Sequence, residues 1–233
     1  MATTTVYATT NTTGRGTIKV SSGDWDEAIN STSGTVETTS TNQFAVRAGV
    51  LSGRGGTEYR VARSFAFFSL SSITTTITAA TVKVHGQGTN NGGTMGMYAS
   101  TAFGNNGSTL ASTDFNNGTS TLYSSTTYNE LNWETDALND FAVNSTGISA
   151  MNTNGYLNVA FRNSFDVDEE TPETDSYLGI NFYGSGTNRI QVVVTHNDPG
   201  YGNTVLTVAP ANIDKVITVA SANIEKVNMF PDP

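Results

Sequence analysis

The sequence predicts an all-β protein: an antiparallel two-sheet β-sandwich with an extended N-terminal arm and a C-terminal tail. Three observations lead there. Between Tyr59 and Gly86, Tyr59, Val61, Phe65 and Phe67 alternate, and Phe68 and Leu70 add apolar mass on the other parity. After a Ser/Thr-rich connection, Ile77, Ala79, Val82 and Val84 resume the pattern. Residues two apart share one face of a strand, so this stretch builds sheet faces that a second layer must cover. Late in the chain three further segments repeat the alternation: Leu157, Val159 and Phe161, then Leu178, Ile180 and Phe182, then Ile190, Val192 and Val194. The composition agrees. Only 13% of residues are charged, against roughly a quarter in ordinary globular proteins, and the balance is Thr, which favours strands, with Asn and Gly, which favour turns.

Taken in order, residues 1–16 are Thr-rich, with Val6 and Tyr7 as the main apolar exceptions. They are expected to form an arm, disordered alone or extended along a neighbour. The sandwich is expected over 17–198. It begins with Ile18 and Val20 in a short strand, then a short helix after Ser22 or Asp24. Either residue can cap it, Asp26 and Glu27 suit its positive end, and Trp25, Ala28 and Ile29 share a face. Phe44 and Val46 suggest another short strand, and LSGRGG (Leu51–Gly56) a turn. Met95 and Met97 alternate, and 99–127 reads as long loops and short edge strands anchored by Leu110 and Phe115. Leu131, Trp133, Leu138, Phe141 and Val143 are less regularly spaced. Ser145–Gly155 predicts a helical turn or two, with Ser145 as cap and Ile148 and Met151 three apart. Asp198-Pro199-Gly200 closes the last strand with turn chemistry. Residues 199–233 remain as a tail.

Composition also excludes functions. The net charge is −9, from 20 acidic and 11 basic residues, and such a field repels a phosphate backbone, so nucleic acid is not an expected partner. No apolar run is long enough to cross a bilayer. There is no cysteine, which removes disulfides, thiol catalysis and zinc–thiolate sites. The first residues lack the basic and apolar regions of a secretory signal, so synthesis in a cytoplasm without such an export signal is expected.

Arg63-Ser64-Phe65, then Phe68-Ser69-Leu70, then Ile77, Ala80, Val82 and Val84 resemble the R-x-F… F-D-L-S… I-x-x-A-x-L-x-L pattern. That pattern belongs to DNRLRE-like jelly-roll domains and related β-sandwich proteins of bacteriophage virions. GISAMNTNGYLNVAFRNSFD and RIQVVVTH are similar to the last strands of that group, and the likeness spans about 15–196. Ser69 stands where the pattern has Asp. The tail adds a repeat: Val208-Ala-Pro-Ala-Asn-Ile-Asp-Lys-Val216 is echoed by Val219-Ala-Ser-Ala-Asn-Ile-Glu-Lys-Val227, which resembles the A-N-I-x-K-V tail repeats of phage structural proteins. The resemblance implies a jelly-roll-like sandwich and a virion structural protein: a capsid decoration, head-fibre or tail-associated component. It also implies location on the virion and capsid, portal or tail subunits as partners, with a homo-oligomer expected.

Read physically, the repeat admits two conformations. Ile213, Val216, Ile217, Ala220, Ile224 and Val227 fall at helical intervals, while the β-branched run VITV opposes a continuous helix. Short turns at each NI(D/E)KV, separated by extended pieces, are the preferred reading. Either the apolar residues Ile213, Val216, Ile217, Ile224, Val227 and Phe230 dock into a neighbouring subunit, or the segment folds back on its own sandwich.

Other candidates are weaker. Asp166, Asp168, Glu169, Glu170, Glu173 and Asp175 crowd one loop and suggest Ca²⁺, yet the EF-hand spacing is missing, so a solvated acidic loop and no metal site is expected. Tyr123, Tyr128, Trp133 and Tyr183 are candidates for a sugar-stacking platform, with Tyr128 and Trp133 foremost. That is the alternative function: a carbohydrate-binding adhesin or receptor-binding module for host surface glycans. His85 and His196 have no second spaced ligand. No G-x-S-x-G elbow or phosphate loop occurs, and Glu130, Glu134 and Asp136 suit a polar turn better than a glycosidase pair. No catalytic residue and no cofactor is expected.

Overall fold

The computed structural model describes residues 1–8, 14–38, 41–90 and 93–197. Twelve strands occur among them. The first six are β1 (Ala2–Tyr7), β2 (Arg15–Ser22), β3 (Thr35–Glu37), β4 (Thr41–Gly53), β5 (Gly56–Ser69) and β6 (Ile77–Asn90). The others are β7 (Met95–Ser100), β8 (Gly118–Leu122), β9 (Leu138–Ala142), β10 (Tyr156–Asn163), β11 (Ser176–Asn181) and β12 (Gln191–His196). Three short α-helices, α1 (Trp25–Ile29), α2 (Ser145–Asn154) and α3 (Ser164–Val167), and a 3-10 helix over Ser112–Asn117 join them. Every pairing between these strands is antiparallel, and the architecture is an all-β sandwich.

One layer runs β1-β12-β6-β9 and the other runs β6-β11-β4-β5, with β10, β7 and β8 continuing from the second half of β5. β2 pairs with the remaining edge of β5, and β3 lies outside it. β6 belongs to both layers. Thr81–His85 pairs with β9 and Ile77–Lys83 with β12, while Gly86–Asn90 pairs with β11. Gly86 sits at the changeover, where a Cβ would collide with the carbonyl oxygen of Glu134. A strand turning this corner under a crossing loop has no room for a side chain.

Between the layers lies an apolar core. Phe68, Val82, Val84, Phe141, Leu157, Val159, Phe161, Leu178, Ile180, Val192 and Val194 all belong to it. β5 is buried on both faces, as its two apolar parities predict. Ala66 and Phe68 enter this core, whereas Val61, Phe65 and Phe67 face outward into a second cluster. That cluster is roofed by Trp25, Ala28 and Ile29 of α1 and by Phe103, Leu110 and Phe115 of the long loop.

The structure refines several expectations. Residues 2–7 do not stand off as an arm: they form an edge strand on β12, in register from Ala2 with His196 to Tyr7 with Gln191. Threonine's β-branched side chain suits such a strand, and Val6 packs against the core. Arg15 and Gly16 are already in β2. Ala80, and not Ala79, faces inward, because a register shift between Thr195 and His196 interrupts the alternation there. The strand around Phe44 and Val46 is much longer than foreseen, forming a hairpin with β5 that ends at Gly53 and Gly56. Gly56 takes a φ of 111°, which L residues avoid. α1 is capped by Asp24, whose Oδ1 accepts from Glu27 N at 3.0 Å. α2 is capped by Asn144, one residue before the expected Ser145.

Candidate functional site

The six proposed docking residues, Ile213, Val216, Ile217, Ile224, Val227 and Phe230, lie outside the described residues. The aromatic platform residues are within them. Trp133 is only 6% exposed and belongs to the inter-sheet core. Its indole N–H donates to Gln87 O at 3.0 Å, and its ring meets Tyr128 edge-on at 5.4 Å. Tyr128 in turn packs edge-on against Phe141. Its hydroxyl accepts from Asp140 N at 2.8 Å and donates to Asp140 O at 3.0 Å. Both residues therefore close one side of the core, and the Trp133 ring offers no open face for a sugar. Tyr183 packs edge-on against His85, and its carbonyl accepts from Arg15. Glu130, Glu134 and Asp136 are exposed on the turn around Trp133.

The acidic loop is dispersed. Asp175 forms a two-pronged pair with Arg47, 2.6 Å on each prong. Asp166 is 2% exposed and sits between two arginines of the sheet. Arg63 Nε and Nη2 donate to it at 2.9 and 2.6 Å, and Arg162 Nε at 2.8 Å. Arg63 also donates to Ile29 O, Phe115 O and Asn116 Oδ1, and its guanidinium lies 3.9 Å from the Phe115 ring centroid. Burial pushes the Asp166 carboxyl up, but the charges and hydrogen bonds of Arg63 and Arg162 outweigh it and hold the group below the usual carboxylate range. With its hydrogen bonds filled, this buried cluster ties α1, α3 and the long loop to the sheet. Its role is structural. Among the described residues, no three acidic or histidine side chains gather so as to hold a metal ion. No described helix is long and apolar enough to cross a membrane.

An open feature with binding chemistry lies beside α2, along the β10-β7-β8 edge. A cavity of about 160 Å³ is lined by Ser100, Thr119, Tyr123, Asn154, Tyr156 and Asn158, among others. It shares Tyr123, Ala150 and Asn154 with a shallow groove of about 520 Å³ along α2, where Ser145, Thr146, Ser149 and Thr153 complete the wall. The sequence explains the geometry. Gly147 and Met151 turn one face of α2 to the interior, which leaves the hydroxyl residues on the opposite face. Gly147 permits the close seating, since a Cβ there would lie 3.2 Å from Tyr123 O. Asn158 points outward because its neighbours Leu157 and Val159 point inward. It is 4% exposed; its Nδ2 donates to Gly104 O at 3.3 Å, and its Oδ1 has no partner among the described residues. The Tyr156 ring stacks on Phe67 at 5.4 Å, and its hydroxyl donates to Asn105 Oδ1 at 2.8 Å. Burial, with the nearby Tyr156 phenol, pushes the Tyr123 phenol up, so Tyr123 keeps its proton at neutral pH.

Of this groove, the sequence singled out only Tyr123. Asn158 carried a faint signal, as a polar residue at the outward position of an otherwise apolar strand. What covers that position is a matter of tertiary structure. No family model and no curated protein matches the chain.

Proposed function

We propose that the protein is a non-enzymatic structural component of a bacteriophage virion, a capsid decoration, head-fibre or tail-associated protein. The β-sandwich serves as the presented body, and residues 199–233 attach it to another virion protein. The observation behind this reading is the eleven-residue repeat from Val208 to Val227, which follows β12 in the sequence and sets apolar residues at matching positions. The resemblance of the Arg63–Val84 stretch to phage sandwich proteins supports the same setting. Attachment would draw on burial of Ile213, Val216, Ile224 and Val227, worth about 25 cal/mol per Å² of apolar surface before the cost of ordering the segment.

Replacing Ile213, Val216, Ile224 and Val227 together with Ser tests the proposal. The variant is expected to fold with an unchanged thermal midpoint and to be missing from purified particles assembled in its presence. Incorporation at the level of the unaltered chain would overturn the attachment reading.

A further inference from the structure

We propose that the groove between α2 and the β7–β8 edge binds a neutral carbohydrate, with the Tyr123 ring against a sugar face and Asn158 receiving a sugar hydroxyl at the floor. The inference stands on the groove and does not depend on how the protein is attached.

The first argument is charge. The chain carries a net charge of −9, yet among the described residues no charged side chain lines the cavity or the groove. An ionic ligand finds no counter-charge there. Hydroxyl and amide groups line it instead, and these both donate and accept, as sugar hydroxyls do.

The second argument is the Asn158 carbonyl. A buried acceptor without a partner is destabilising, so such groups in a folded protein call for an explanation. The residue lines the cavity, and a small shift of the side chains covering its carbonyl would let a ligand O–H supply the missing donor. Its amide nitrogen is already held by Gly104 O, which fixes the orientation in advance.

The third argument is the pairing of rings with polar tips. Tyr123 and Tyr156 are both partly buried, which gives rigid apolar faces for the C–H surface of a sugar ring beside hydroxyl donors. At the Tyr123 end of the groove the backbone is engaged. Tyr123 N donates to Met97 O, Thr101 N to Asn117 O, and Asn144 N to Tyr123 O.

The test is titration of the full chain with cellohexaose, maltohexaose, mannohexaose and chitohexaose, followed by calorimetry and by saturation-transfer NMR, with oligogalacturonate as the anionic control. At least one neutral oligomer is expected to bind. Tyr123→Ala and Asn158→Leu should each weaken that binding about tenfold or more, which is about 1.4 kcal/mol. Because Tyr123 also packs on the core, Ala150→Trp supplies a second route: it fills the groove from α2 without removing a contact, and should abolish binding with the thermal midpoint unchanged. Absence of binding by all four neutral oligomers at millimolar concentration would overturn the proposal. So would binding that survives Ala150→Trp, or tighter binding of the anionic control.

Discussion

The two faces of β5 pass through different physical worlds. On the inner face, Ala66 and Phe68 meet the apolar side chains of β6, β10 and β12, with no charged group among them. On the outer face, Phe65 and Phe67 share their surroundings with Arg63, which is buried against Asp166 and backed by Arg162. The inner core is held by area and shape. The outer one is thinner, built from a short helix and a loop, and needs directional bonds to carbonyls that no strand partner satisfies. Arg63 fills this need by donating to Ile29 O and Phe115 O. Where regular secondary structure runs out, a guanidinium takes over the role of the backbone ladder.

Asp166→Ala gives the largest expected effect. It strands two buried cations and should cost about 3–5 kcal/mol in urea unfolding, and replacing Arg63, Asp166 and Arg162 together by apolar residues of similar size should leave most of that loss in place, because the carbonyls of Ile29 and Phe115 then have no donor. A cost below about 1 kcal/mol for the single change would mean that the outer roof stands without the cluster. Acid titration sharpens the contrast. The Asp166 carboxyl sits below its unfolded value of about 3.9, so its contribution is complete above about pH 5 and drains away as pH falls past that value toward the lower folded one. Asp166→Asn should flatten part of that slope, whereas Phe161→Ala, an inner-core change costing about 3–5 kcal/mol, should lower the whole curve and leave the slope intact. A changed slope in Phe161→Ala would break the separation between the faces. Smallest is Asn144→Ala, which removes the α2 cap and should cost about 1 kcal/mol. Its checkable consequence is faster hydrogen exchange at Gly147 N, the amide that Asn144 Oδ1 holds.

The inner core was legible because its rule is periodicity. Leu157, Val159 and Phe161 point inward for the reason that made them visible in the sequence: alternate residues share a face. The outer face was legible only in part. Phe65 and Phe67 showed that it is covered, but Arg63 and Asp166 are 103 residues apart, and no local pattern links them. Asp166 looked like one of several acidic loop residues. Trp133 misled in the other direction: an aromatic in a polar stretch suggested a surface platform, yet its indole N–H reaches Gln87 O and draws the ring inside. The binding groove depended on where α2 lands, and helix placement is set by packing at Gly147 and Met151, not by helix propensity.

From its order of residues alone, this chain determined that it would fold as paired antiparallel strands with buried faces, and the neighbourhoods in which α1 and α2 begin. Those properties follow from interactions between near neighbours: alternation, caps and turn residues. Only the folded chain decided that β6 would serve both layers, that Arg63 would find Asp166, and that Asn158 would be left with an empty acceptor beside Tyr123. Each depends on segments distant in sequence arriving at one place, and burial then fixes what their polar groups must do.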